Sequence, residues 1–97
     1  MDEVKLELND DGNGAFKIME NGEQLGEMVV GVSGNTLTAF HTEVSSSANG
    51  KGVAKKLLNG MVEYAREKKL QVRPLCSFVH SQFRRHPDEY SDIWKND

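Results

Sequence analysis

The stretch Ser45-Ser46-Ser47-Ala48-Asn49-Gly50-Lys51-Gly52-Val53-Ala54 joins an extended segment to a strongly amphipathic helix. A turn of this kind leaves several backbone N–H groups unpaired at the positive end of a helix dipole. Gly50 and Gly52 have no side chains and therefore allow an anion to approach that backbone closely. We expect the turn to bind a phosphate-bearing ligand. The alternative is an ordinary surface helix with a glycine-containing entry, since isolated Gly-x-Gly turns are common.

Two common nucleotide-binding motifs do not fit this turn. A Walker loop requires Gly-Lys-Ser/Thr, but Gly52 follows Lys51, and Ser45 stands where the first glycine belongs. The dinucleotide-binding fingerprint requires a third glycine at the position of Lys55. The turn therefore belongs to another class of phosphate site.

The segment after the turn, roughly residues 50–69, has the periodicity of a helix with one apolar face. Lys51, Lys55 and Lys56 lie beside the turn. They are either an ordinary solvated helix face or a basic cluster that attracts phosphates, and the turn that they flank favours the second interpretation.

Strand-like patterns precede and follow this helix. Four segments separated by short turns predict an antiparallel meander: residues 4–8, 15–20, 25–32 and 36–44. The helix then predicts a parallel, right-handed crossover into a fifth strand at residues 70–75. A shorter helix is expected at residues 77–86, ended by Pro87. The predicted fold is α+β, with a mixed, mostly antiparallel sheet of about five strands.

Composition restricts the classes of function. A chain of 97 residues with 37% hydrophobic and 28% charged residues predicts one small globular domain, residues 1–97. The net charge of −3 argues against a general nucleic-acid binder. No apolar run is long enough to span a membrane. The single cysteine, Cys76, excludes an internal disulfide, and no His/Cys/Asp/Glu spacing predicts a metal site.

The two ends of the chain carry weaker signals. Met1-Asp2-Glu3 is acidic and lacks the basic and apolar regions of a signal peptide, so we expect a cytoplasmic protein. The free thiol suits the same reducing compartment. Lys95-Asn96-Asp97 is expected to be a frayed tail.

The run Asn49-Gly50-Lys51-Gly52-Val53-Ala54 resembles the acyl-CoA signature of the GNAT superfamily of N-acetyltransferases, Arg/Gln-x-x-Gly-x-Gly/Ala. Asn49 stands in place of the Arg or Gln. The likeness continues through His41-Thr42-Glu43-Val44 and Arg73-Pro74-Leu75-Cys76-Ser77-Phe78-Val79, and it covers nearly the whole chain. It implies a small, single-domain protein that uses acetyl-CoA as co-substrate.

The resemblance also implies where the co-substrate binds. In GNAT proteins the fourth and fifth strands splay apart, and the pantetheine arm lies in the gap. The arm would bond the backbone of Thr42, Glu43 and Val44. The pyrophosphate and its neighbours would lie on the turn, whose residues are Asn49, Gly50, Lys51, Gly52, Val53, Ala54 and Lys55.

Acetyl transfer to an amine requires a deprotonated amine and a proton for the departing thiolate. A histidine, with an ordinary pKa of about 6.5, can accept a proton near neutrality. His41 is expected near the end of the fourth strand, on the opposite face from Phe40 and Thr42. It is either catalytic or a half-buried structural histidine. Glu43 could instead act as the base through a bridging water.

Cys76 ends the fifth strand and precedes the short helix. A thiol near a helix N-terminus can be a strong nucleophile. Cys76 could form a transient acyl-cysteine, could act as an acid toward the leaving thiolate, or could be a small buried hydrophobe. The resemblance implies a His–Cys pair at positions 41 and 76, although direct transfer is the commoner mechanism in the superfamily.

The predicted function is an acetyl-CoA-dependent N-acetyltransferase acting on an amine acceptor. The rival is a CoA-binding or protein-interaction domain without catalysis. Because the chain is short, the acceptor is expected to be a sizeable partner such as a protein terminus or lysine, or a second subunit completes the site. A monomer or weak dimer is expected, without nucleic-acid or membrane partners.

Overall fold

One five-stranded sheet organises the chain in the computed structural model, which describes residues 3–95. The strands are β1 (Val4–Leu8), β2 (Asn13–Glu20), β3 (Glu23–Ser33), β4 (Thr36–Val44) and β5 (Gln71–Pro74). They lie in the order β1-β2-β3-β4-β5; the first three pairings are antiparallel and the last is parallel. The predicted mostly antiparallel sheet of an α+β fold is confirmed.

The crossover between β4 and β5 contains a 3-10 turn (Ser46–Ala48) and helix α1 (Val53–Glu67). The helix is shorter than the predicted residues 50–69. Gly52 has a φ of +69° and Lys69 a φ of +58°, values of the left-handed region that a right-handed helix cannot include. The predicted apolar face is buried: Val53, Leu57, Leu58, Met61, Val62 and Ala65.

The helices cover one face of the sheet. Core-facing side chains of β2, β3 and β4 form a single cluster with those of α1 and of helix α2 (Ser77–Arg85). Burial alternates along β3, where Met28 and Val30 are buried and their neighbours are less so. The opposite face, which carries the side chains between the core positions, is not packed by any helix among residues 3–95.

The C-terminal region departs from expectation. Pro87 ends α2, as predicted, but it is also the first residue of a further short helix, α3 (Pro87–Tyr90). The chain then returns to the sheet: the Val72 amide donates to the Ile93 carbonyl at 2.6 Å, and the Lys95 amide donates to the Val72 carbonyl at 2.8 Å. The predicted frayed tail is therefore wrong at Lys95. The other two residues of that predicted tail, Asn96 and Asp97, lie outside the described residues. So do Met1 and Asp2, in the segment predicted not to be a signal peptide.

Candidate active site

A gap opens between β4 and β5 in the second half of β4. The two strands pair from Thr36 and Gln71 as far as Ala39 and Pro74. Pro74 has no N–H to continue the ladder, and the Cys76 amide makes the last bond to β4, to the Ala39 carbonyl at 2.8 Å. Residues 41–44 stay paired with β3 on one side only. This part of β4 therefore presents a free backbone edge to the gap.

A β-bulge lies where the gap begins. Val29 is opposite His41 and Val30 is opposite Ala39, so Phe40 is the extra residue of β4. A Cβ on Gly31 would lie 3.1 Å from the Phe40 ring, which places the ring on the face opposite the helices. The expectation that His41 and Phe40 occupy opposite faces is therefore wrong, because the bulge turns both toward the same face.

Thr42 and Cys76 meet across the gap. The Thr42 Oγ1 lies 3.2 Å from the Cys76 Sγ. Cys76 is only 5% exposed and belongs to the core cluster, and it is the residue that precedes α2. Sequence reasoning identified the backbone of Thr42 but missed its side chain. The sequence alone does not show which β4 side chain reaches the end of β5.

His41 and Glu43 form a second pair, on the face opposite the helices. His41 Nε2 lies 3.1 Å from Glu43 Oε2, and the two side chains are 53% and 67% exposed. The structure does not bring His41 to Cys76. The two residues flank β4 from opposite faces, His41 with Glu43 and Cys76 with Thr42.

The glycine turn leaves its outer side open. Gly50 has a φ of +83° and Gly52 one of +69°, and a Cβ on either would meet nothing within 4 Å. Lys56 N–H makes the first bond of α1, to the Gly52 carbonyl at 3.1 Å. The preceding amides of Val53, Ala54 and Lys55 have no intrahelical acceptor. Among residues 3–95 they donate to no other group, so they remain available to an anion.

The free strand edge and the glycine turn are adjacent because Gly26 has no side chain. A Cβ there would lie 2.7 Å from Val53 Cγ1 and 3.0 Å from the Glu43 carbonyl oxygen. The bare backbone of Gly26 therefore lets the first turn of α1 pack at the end of β4. Ser47, in the 3-10 turn before the glycines, connects this segment to β3, since its hydroxyl donates to Glu23 Oε2 at 2.9 Å.

The lysines beside the turn are not equivalent. Lys51 Nζ lies 3.2 Å from Glu20 Oε1, which compensates its charge. Lys55 is exposed next to the unpaired amides, and Lys56 is half-buried. Asn49 is exposed at the end of the 3-10 turn, where its N–H donates to the Ser46 carbonyl at 3.4 Å. The basic cluster thus has two exposed lysines, Lys55 and the Lys51 that pairs with Glu20, and a half-buried third.

Residues 3–95 contain no group of three His, Cys, Asp or Glu side chains placed to hold a metal ion. None of the helices described above is long and apolar enough to cross a membrane.

Known proteins share this architecture. A family model described as GCN5-related N-acetyltransferase matches residues 15–93. A solution structure from Staphylococcus aureus, described as a GCN5-like candidate N-acetyltransferase, is 30% identical with a TM-score of 0.68. That alignment covers 96% of this chain and 89% of the other. No curated protein sequence matches the chain significantly.

Two larger enzymes share the fold. The ribosomal-protein-alanine N-acetyltransferase of Brucella melitensis is 19% identical (TM-score 0.64), over 91% of this chain and 65% of that one. Nourseothricin acetyltransferase is 26% identical (TM-score 0.59), over 84% of this chain and 52% of that one. The chain thus spans between half and two thirds of their length. With a family model over most of its residues and this fold, the chain belongs to the GCN5-related N-acetyltransferases.

Proposed function

We propose that residues 1–97 form one domain that transfers an acetyl group from acetyl-CoA to an amine. One observation carries the proposal: the gap between β4 and β5 begins at Ala39 and Pro74 and continues to the open glycine turn. A long, narrow ligand with a phosphate group at one end fits such a path. The single free thiol suits the cytoplasm as the place of action.

The chain's residues would hold acetyl-CoA at two places. Its pyrophosphate would accept hydrogen bonds from the unpaired amides at the start of α1, with Lys55 and Lys51 nearby and Asn49, Gly50 and Gly52 shaping the turn. Its pantetheine arm contains amide groups, which would pair with the free edge of β4 at Thr42, Glu43 and Val44 as a neighbouring strand would. The space next to Gly50 and Gly52, where a Cβ would meet nothing within 4 Å, would be open to the pyrophosphate.

The two side-chain pairs would then manage protons. Attack by the amine forms the N–C bond and breaks the C–S bond of the thioester. The surplus proton of the amine passes to His41, whose charged form is stabilised by Glu43 at 3.1 Å. The CoA thiolate takes a proton from the Cys76 thiol, which Thr42 orients and which solvent later reprotonates. The pairs lie on opposite sides of β4. His41 would therefore accept the proton of the amine on one face, and Cys76 would donate a proton to the leaving thiolate on the other.

A titration and a kinetic assay together test this function. Acetyl-CoA is added to the 15N-labelled chain, and shifts are expected in the amide signals of residues 42–44 and 49–55. The same mixture with a panel of primary amines should release free CoA thiol. Binding without thiol release from any amine would indicate a non-catalytic CoA-binding domain. Absence of any shift at these residues would reject the proposal.

A further inference from the structure

The sheet face opposite the helices is uncovered within residues 3–95, and we call it the open face. It includes Ala15, Glu27, Val29, Phe40, His41 and Glu43, which lie between core-facing positions or in the bulge. His41 and Glu43 are the pair to which we assign proton transfer. The open face is therefore continuous with the proposed active site.

The middle of the open face is apolar. Ala15, Val29 and His41 lie side by side in one cross-strand row of β2, β3 and β4, although Ala15 itself is only 6% exposed. Next to this row, Phe40 is 47% exposed, with its ring over the bare backbone of Gly31. The bulge turns this phenylalanine away from the core that the helices cover. Val29 and the half-exposed ring of Phe40 form a shallow apolar surface for a partner side chain.

The next cross-strand row has unbalanced charge. Glu27 lies directly opposite Glu43, and like charges in that position repel. Lys17 is opposite Glu27 on the other side, but its ammonium group is 3.1 Å from Glu7. A positively charged group placed between Glu27 and Glu43 would relieve the repulsion. It would also stand beside His41.

We propose that the open face is the docking surface of the acceptor, and that the acceptor is a lysine-containing polypeptide segment. This inference rests on the proposed function, because it places the lysine amine next to His41. The carboxylates of Glu27 and Glu43 attract the cationic segment, and the surface around Phe40 takes an apolar side chain beside the lysine. A free small amine would use the carboxylates but not the apolar surface.

The docking test requires no acetyl-CoA. The probe is a short unstructured peptide with blocked ends, one central lysine beside a leucine, and further lysines. A second peptide has glutamate in place of the further lysines. We expect the first peptide to shift amide signals of residues 27–31 and 40–43 in the 15N-labelled chain, and the second to cause little change. Binding should weaken with added salt, since exposed charges are screened.

Matched variants show whether this face is responsible. Phe40→Ser and Glu27→Lys should each weaken binding of the lysine peptide about five- to tenfold. Leu8→Ser is the control, because Leu8 is 37% exposed but lies on β1 at a core-facing position outside the open face. It should leave peptide binding unchanged. Acetyl-CoA affinity should be the same in all three variants.

Several outcomes would overturn the inference. Peptide shifts confined to other residues would do so, and so would unchanged binding in both Phe40→Ser and Glu27→Lys. Shifts of residues 27–31 and 40–43 with protein concentration alone would show instead that a second copy covers the face. If the peptide docks here but no thiol is released from acetyl-CoA, the proposed function fails while the docking surface stands.

Discussion

Thr42 Oγ1 lies 3.2 Å from Cys76 Sγ, across the gap where β4 and β5 have parted. Either atom can donate the hydrogen. Thr42 is half-buried and Cys76 is almost fully buried, so bulk water competes little for the contact. The hydroxyl therefore fixes the direction of the thiol at the place where we expect the thioester.

Removing this hydroxyl should affect turnover more than binding. Thr42→Val keeps the branched shape and loses the oxygen, so acetyl-CoA affinity should be nearly unchanged while kcat falls about tenfold, or ~1.4 kcal/mol in activation free energy. The rate at which Cys76 is alkylated should also change, because the thiol loses its hydrogen-bond partner. Thr42→Ser, which retains the hydroxyl, should restore both. Parent-like kcat and alkylation in Thr42→Val would show that the contact is only packing.

Two glycines provide a matched test of the phosphate site. Gly52 and Gly34 have φ values of +69° and +59°, and a Cβ on either meets nothing within 4 Å. Glutamate at either position therefore introduces similar backbone strain. Gly52→Glu should also repel the CoA phosphates and reduce acetyl-CoA affinity at least about tenfold, whereas Gly34→Glu, in the β3–β4 turn, should not. Equal affinity of the two variants, measured by calorimetry, would place the phosphate elsewhere.

A third glycine has a packing role that helix propensity does not show. Ala is normally about 1 kcal/mol more favourable than Gly within a helix. A Cβ on Gly60 of α1, however, would lie 2.8 Å from Val4 Cγ1 and 3.0 Å from Val4 Cβ on β1. Gly60→Ala should therefore lower the free energy of unfolding in urea by about 1 kcal/mol or more. The additional substitution Val4→Ala should recover part of this loss, and a gain in stability in Gly60→Ala alone would contradict the contact.

Much of the fold could be predicted because local patterns determine it. The apolar face of α1 and the Asn21-Gly22 turn between β2 and β3 are both visible in a few consecutive residues. The bulge at Phe40 could not be predicted in this way, because it depends on the register between two strands. One signal was available and not used: Pro74 cannot continue a ladder, so pairing with β4 should end there.

The candidate site was predicted in the same uneven way. The glycine turn is local in sequence and was identified from Gly50 and Gly52, although their left-handed φ values were not predicted. The separation of His41 from Cys76 by β4 and the contact of Thr42 with Cys76 arise from tertiary structure. The roles of these residues remain predictions that the experiments address.

An ion pair between α1 and the turn after α3 should give stability a weak pH dependence. Arg66 donates to both Asp92 carboxylate oxygens, at 2.9 and 3.2 Å, and this hydrogen bonding and charge lower the pKa of Asp92 from its ordinary 3.8. A carboxyl with a lowered folded-state pKa stabilises the fold above 3.8 and loses that contribution as pH falls below it.

Asp92→Asn should therefore be less stable than the parent at neutral pH. The difference should be less than about 1 kcal/mol, because both side chains are about half exposed. It should shrink as pH falls below the ordinary pKa of the carboxyl, as measured by urea unfolding at several pH values. Asp10→Asn, at an exposed position in the β1–β2 turn, is the control. A difference that persists unchanged in acid would assign the loss to packing rather than to charge.

The presence or absence of a covalent adduct distinguishes the two catalytic roles of Cys76, proton donor and nucleophile. If Cys76 only donates a proton, incubation with acetyl-CoA and no acceptor leaves the protein mass unchanged, while Cys76→Ala lowers kcat and retains acetyl-CoA affinity. If Cys76 attacks the thioester, the protein gains one acetyl group, and Cys76→Ser, which replaces the only cysteine in the chain, abolishes it. We expect the first result, since His41 and Glu43 lie on the other face of β4 and cannot take the thiol proton directly. An adduct that forms and is consumed by an amine at the rate of turnover would establish the acyl-cysteine route. Full turnover in Cys76→Ala would remove the thiol from the chemistry, and His41 with Glu43 would then carry direct transfer alone.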